Sequence, residues 1–307
     1  MNKGLCIICS FLVMACSGVK QTAKTSKTDS VQQKKVAECN TNVSRVPPKD
    51  LNSGIKTKND TLKLVDTTTR VIKHNLSENT LKTLNKTATK KEASAHKIWN
   101  TLLKKYVSEN GTVNYKGFKT EREKLIEYFS VLDSLYISDH KLFSRAEQLA
   151  FWINAYNAFT IDLIIRNYPI KSIKAIDNPW EQRLWKLGEK WYHLNDIEHQ
   201  ILRKMNEPRV HFAIVCASYS CPKLLNEAFT ASNIEAKLTE VTKAFLKDSE
   251  KNIITENSLQ LSKIFQWFAK DFKQNGSLID FLNRYATIPI SAKAKKSFKP
   301  YNWDLNE

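Results

Sequence analysis

Residues 147–168 read EQLAFWINAYNAFTIDLIIRNY, and this stretch decides the fold. It is the longest helical candidate in the chain, and Pro169 ends it because proline cannot continue the hydrogen-bond ladder. Apolar residues lie nearly all round the helix rather than along one stripe, so the helix must be buried. Asn154 and Asn157 interrupt that surface and, three residues apart, share a face. A buried amide without partners costs about 1–3 kcal/mol, so both must bond something specific. Either they tie off loop backbone, or they orient a catalytic histidine or a substrate carbonyl.

Around this helix, residues 93–307 hold 30 of the 31 aromatic residues and form one domain with ample core. No internal repeat is present. Ser94 caps a helix that carries Ile98, Leu102, Leu103 and Tyr106 at helical spacing. Gly111 to Gly117 forms an extended turn, and a second helix covers roughly residues 120–135. A loop rich in Trp and Pro follows the central helix, then a short strand through residues 190–194. Residues 195–198, Asn-Asp-Ile-Glu, resemble a capping box that opens a helix to about Met205. Residues 210–216 form a β-like run. A helix over about 233–246 precedes a hairpin of 252–255 and 259–262, and two short helices cover 264–272 and 278–285. The fold class is α+β, a single helix-rich domain with a small sheet.

Two further constellations carry candidate chemistry. His193 lies near Glu198, His199 and Arg203; His199 and Arg203 are helix-surface neighbours, whereas Glu198 points about 100° away from His199. A histidine poised near neutrality suits a general base. Glu198, at the third position of its helix, is more simply a cap carboxylate. The other constellation is VHFAIVCASYSCPKL, residues 210–224. Strand alternation puts His211, Ala213 and Val215 on one face and Cys216 on the other, which separates His211 from Cys216. Pro222 suits a first helical turn, so Cys221 falls at a helix N-terminus. There the dipole lowers a thiol pKa and backbone N–H groups can cradle an oxyanion. A Cys216–Cys221 disulfide is equally open at this spacing, provided the Cα atoms approach within about 4.4–6.8 Å.

The N-terminus sets the compartment. Residues 1–15, MNKGLCIICSFLVMA, have one early lysine, an apolar core and a small residue before Cys16, the layout of an export signal. Residues 12–16, Leu-Val-Met-Ala-Cys, resemble a bacterial lipoprotein signal, which implies cleavage before Cys16 and its acylation, hence anchorage to a lipid bilayer. Cys39, Cys216 and Cys221 then remain, in a compartment that permits disulfides. Residues 17–92 contain no Phe, Trp or Tyr and are dominated by Lys, Thr, Ser and Asn. Such a segment cannot offset its conformational entropy, so residues 16–92 read as a disordered tether with a root-mean-square reach of about 45–50 Å. Residues 1–92 carry 17 Lys and Arg against 7 Asp and Glu, so +10 of the net +17 sits there. On the tail of an exported protein that charge argues against nucleic acid and for a solvated spacer, or for attraction to anionic lipid or envelope polymer.

Five ordered motifs then carry a resemblance: AFWINAYNAFTI (150–161), LNDIEHQILR (194–203), RVHFAIVCASYSCPKL (209–224), LSKIFQWFAKDF (261–272) and YNWDLN (301–306). Together they resemble the "domain of unknown function 547" family, whose members include bacterial lipoproteins and secreted proteins. The resemblance implies a fold for about residues 99–306 and supplies no reaction. It points to Trp152, Asn154, Asn157, Glu198, His199, Arg203, His211, Cys216, Cys221, Pro222, Trp267, Asp271 and Phe272 as motif positions. Val215 departs from the family pattern, which favours Asn there, and this weakens any role that needs an amide at that point.

Two functional classes follow. In the first, a thiol-dependent hydrolase or acyl transferase acts on an envelope peptide or amide. Cys221 or Cys216 attacks the carbonyl, His199 is the base, and Asp271 or an Asn orients it. In the second, the domain is a non-catalytic envelope binding module with a structural Cys216–Cys221 bridge. Metal binding by Cys and His is a weaker third option because paired ligand spacings are missing, and thiol–disulfide exchange is conceivable although C-x-x-x-x-C is not the spacing it usually uses; no cofactor is expected.

Overall fold

A computed structural model describes residues 94–307. The expected export signal (1–15), lipidation at Cys16 and tether (16–92) fall on residues outside those described. Helix α1 spans Lys97–Tyr106, α2 Tyr115–Thr120, α3 Arg122–Ser138 and α4 Arg145–Asn167. Helix α1 buries Trp99, Leu102, Leu103 and Tyr106, the one-face spacing of an amphipathic helix.

Helix α4 is the axis of the domain. Its start is set by a capping box: Glu147 N–H donates to Ser144 Oγ (3.3 Å), and Ser144 N–H donates to the Glu147 carboxylate (2.7 Å). From Leu149 to Ile165 every residue is buried, and α2, α3 and the later helix α5, Ile234–Lys247, pack around it. Asp162 is completely buried within it. Its carboxylate accepts from Arg122 Nε (2.9 Å), Arg166 Nε (2.7 Å) and the Trp185 indole (2.9 Å), which offsets the cost of burying its charge.

The sheets are small. Strands β1 (Trp185–Leu187) and β2 (Lys190–Tyr192) form an antiparallel hairpin with Trp185 opposite Tyr192. Gly188, with φ of 60° in its turn, takes the left-handed conformation that glycine allows freely. Strands β3 (Ile253–Ile254) and β4 (Ser258–Leu261) make the second hairpin. Leu259 and Leu261 face inward from it, while Ser258 and Gln260 face solvent. Strand β5 (Lys295–Phe298) adds in parallel to β4. Helices α6 (Ile264–Trp267) and α7 (Leu278–Asn283) flank a core in which Phe212 meets Phe245 at a ring-centroid distance of 5.1 Å and Phe272 meets Phe281 at 5.0 Å. The helix-rich α+β architecture is thus present, with two sheets. No helix among the described residues is long and apolar enough to cross a membrane.

Two elements around the cysteines differ from the sequence reading. Residues 210–216 are not a strand: Pro208–Phe212 form a 3-10 turn, capped where Glu207 accepts from Arg209 N–H (3.2 Å). A strand needs a neighbour for its ladder, and here the backbone bonds to α4 instead. The separation of His211 from Cys216 by strand parity therefore does not hold. Nor does a helix begin at Cys221-Pro222. Cys221 N–H closes a turn onto Ser218 C=O (3.0 Å), and the chain runs without helix to Ile234, so no helix dipole acts on Cys221.

Candidate functional site

The two amides of α4 hold the loops that build the site. Asn157 donates to Ala213 C=O (2.9 Å) and accepts from Val215 N–H (2.9 Å). Asn154 donates to Phe229 C=O (2.7 Å) and accepts from Phe229 N–H (3.1 Å). Each amide thus replaces a strand partner for an irregular buried segment, which satisfies backbone groups that would otherwise be orphaned. Asn157 fixes the approach to Cys216.

Glu198 does not cap a helix. Asn195 makes no side-chain cap, and Asp196–Ile201 is a π-helical turn followed by a 3-10 turn, Leu202–Met205. Wide turns of this kind re-aim side chains and recur at functional sites. This one buries Glu198, whose carboxylate accepts from the Tyr156 hydroxyl (3.1 Å). Burial penalises the charged form and pushes the Glu198 carboxyl up to about 7, against the opposing pull of the Tyr156 bond. Near neutrality it is therefore poised between acid and carboxylate.

Arg203 organises the histidines. It grips Asp271 with two bonds, Nε to Oδ2 (2.6 Å) and Nη2 to Oδ1 (3.0 Å), and donates from Nη1 to His199 Nδ1 (2.9 Å). The neutral His199 ring consequently carries its proton on Nε2. Its pKa is lowered by burial and then by the Arg203 charge. His211 Nε2 donates to Asp271 Oδ2 (2.8 Å), and its ring stacks on Phe268 at 3.9 Å. Burial lowers its pKa too, partly offset by Asp271. Burial alone would raise the Asp271 carboxyl, but the His211 and Arg203 bonds outweigh it and hold the group well below the usual carboxylate range. Asp271 thus partners His211, not His199 as a triad would require. His193 lies elsewhere, accepting from Asp196 N–H (2.9 Å) beside Arg183.

Cys216 and Cys221 pair as a disulfide across a Cα separation of 6.3 Å, within the range such bridges need. Cys216 is half-buried and Cys221 is buried. Cys221 Sγ accepts from Cys216 N–H (3.0 Å) and from the Tyr301 hydroxyl (3.2 Å).

These groups meet at one cleft of about 250 Å³. Glu198, His199, His211, Cys216 and Cys221 line it; Arg203 and Asp271 brace the histidines from behind, and Asn154 and Asn157 brace the loops. Much of the remaining lining is aromatic: Tyr156, Trp180, Phe268, Tyr301 and Trp303, which were not singled out from sequence, and Trp267, which was named only as a motif position. Tyr301 packs between Trp267 (4.8 Å) and Trp303 (4.6 Å), so the C-terminal YNWDLN segment supplies an aromatic wall. Its two aromatics within three residues were the available signal. Among the described residues, no three His, Cys, Asp or Glu side chains gather as metal ligands.

Residues 140–246 match the model of a family described as "Protein of unknown function, DUF547". That segment contains α4, the π-helical turn and both cysteines, and it stops short of Asp271 and the aromatic wall. No curated protein and no solved structure matches the chain significantly. The similarity is to an uncharacterised domain, and what the site does must be argued from its chemistry.

Proposed function

We propose that this chain is an exported envelope protein, anchored to a lipid bilayer through acylated Cys16, whose folded domain binds a segment of an envelope peptide in the aromatic cleft. The observation that carries this reading is the composition of the cleft. A wall of Trp267, Tyr301 and Trp303 faces the same space as Glu198 and His199. Aromatic walls supply apolar contact, while a protonated Glu198 and the Nε2–H of His199 are donors suited to amide carbonyls. A bridged Cys216–Cys221 pair offers no thiolate to attack a carbonyl, and a His199 held by Arg203 is a weak base. Both points favour binding over cysteine-nucleophile hydrolysis.

Fluorescence titration tests the reading, because Trp180, Trp267 and Trp303 all line the cleft. The detergent-solubilised full chain is titrated with acetylated, amidated hexapeptides rich in aromatic and aliphatic residues. The expected result is a saturable change that Trp303→Ala abolishes. A change seen only with envelope oligosaccharides, or none with any peptide, overturns the reading.

A further inference from the structure

The bridge lies on the wall of an open cleft, and the loop that carries it is already held by other means. Tyr219 N–H donates to Asp304 C=O (2.7 Å), Ser220 N–H to Asn302 C=O (3.1 Å), and Asn302 N–H to Ser220 Oγ (2.9 Å). Ser218 also bridges to Leu305. The loop therefore keeps its frame when the bridge is open. Between the cysteines, Ala217 adopts φ of 56°, a left-handed conformation that costs any residue with a Cβ and that clusters at functional sites.

The two sulfurs are not equivalent. Cys216 is half-buried, whereas Cys221 is only 6% exposed. The buried sulfur accepts from the fixed Cys216 N–H (3.0 Å) and from the Tyr301 hydroxyl (3.2 Å), whereas Cys216 Sγ meets only hydroxyls, Ser218 Oγ at 3.2 Å and the same Tyr301 oxygen at a longer 3.4 Å, so negative charge is better stabilised on Cys221. In thiol–disulfide exchange the attacked sulfur must be reachable, and the departing one must leave as a stabilised thiolate. Cys216 meets the first requirement and Cys221 the second.

We infer that Cys216–Cys221 is a redox-active disulfide that oxidises a pair of thiols on a peptide bound in the cleft. The inference rests on the peptide-binding reading above. One substrate thiol, as thiolate, attacks Cys216 Sγ. The S–S bond breaks, and its electron pair departs on Cys221 Sγ. The second substrate thiolate then attacks the substrate sulfur of the mixed disulfide and expels Cys216 as thiolate. The peptide leaves with a new disulfide, having lost two electrons and two protons, and the protein holds two thiols. A low-molecular-weight disulfide returns the protein to its bridged form by the reverse exchange. Glu198, poised near neutrality in the same cleft, is placed to take up and return the protons.

The test uses the oxidised, detergent-solubilised full chain, held without oxygen with a reduced hexapeptide carrying two cysteines between phenylalanines. Alkylation and peptide mapping read each cysteine separately from Cys39. The expected result is one peptide disulfide formed per bridge opened. Offered the disulfide form of the same peptide, so that the exchange runs in reverse and a protein thiolate displaces one peptide thiolate, Cys221→Ser should trap the peptide on Cys216, whereas Cys216→Ser should trap none on Cys221. Tyr301→Phe keeps both cysteines and should slow opening about fivefold, the worth of one hydrogen bond to the departing sulfur. A parallel fluorescence titration with the serine version of the peptide separates the two claims. Binding of that peptide with an unopened bridge overturns redox activity alone, while no binding and no opening overturns both. Equal trapping on either cysteine, or an unchanged rate in Tyr301→Phe, overturns the assignment of roles.

Discussion

Glu198→Gln offers the sharpest physical test of the site. The substitution keeps the shape and leaves an oxygen to accept from the Tyr156 hydroxyl, while it removes the ionisation. Burial raises this carboxyl from 4.5 to about 7 in the folded protein. A group whose native pKa lies above its unfolded value favours the folded state while both states are protonated. That advantage is lost as pH rises from about 4.5 through about 7. Between about 4.5 and about 7, at about 1.36 kcal/mol for each pH unit, the effect amounts to about 3 kcal/mol. Urea unfolding of both proteins between about pH 4 and 8 reads it directly, because the histidines titrate in each and largely cancel in the difference. The Gln variant should gain on the parent progressively from pH 4.5, levelling near 3 kcal/mol above pH 7. A flat difference curve would refute the reasoning, since it would mean that Glu198 is either solvated or already ionised.

Three other outcomes follow from the geometry. Asn157→Ala strands the buried Ala213 C=O and Val215 N–H, and should cost about 2–4 kcal/mol in chemical denaturation; a loss under about 0.5 kcal/mol would contradict the bracing role. Arg203→Gln removes a cation that depresses both rings, so His199 and His211 should titrate at higher pH, followed by the ring-proton NMR signals; unmoved titrations would count against the network. Cys16→Ser should abolish incorporation of labelled fatty acid and release the protein from the membrane fraction, whereas retained label would exclude Cys16 as the anchor.

Which parts were legible in the sequence follows from how local the cause was. Helix α4 announced itself because burial on all sides writes itself into consecutive residues, and Pro169 marks its end. The alternation of Leu259 and Leu261 with polar neighbours likewise exposed the second hairpin. Residues 210–216 misled, because a short run of β-branched and aromatic residues reads as a strand wherever it is buried. What made it irregular was Asn157, more than fifty residues away, taking its backbone bonds. Glu198 misled for a related reason. Its capping-box spacing is genuine, but the π-helical turn directs the side chain toward Tyr156. Strand β5 carries no signal at all, since KKSF is exposed throughout and its pairing with β4 is non-local. His199, His211 and the cysteines were picked out by residue type, and Arg203 by its helical spacing from His199; Asp271 was assigned to the wrong histidine and Tyr301 was missed, because both reach the site from distant segments.

The most direct measurement of the peptide-binding cleft is NMR mapping of the full chain with an acetylated, amidated aromatic hexapeptide. The account predicts saturable shifts concentrated on the indole N–H signals of Trp180, Trp267 and Trp303 and on the ring of His199. Saturable shifts that cluster away from these residues, or no shifts at peptide excess, would contradict it.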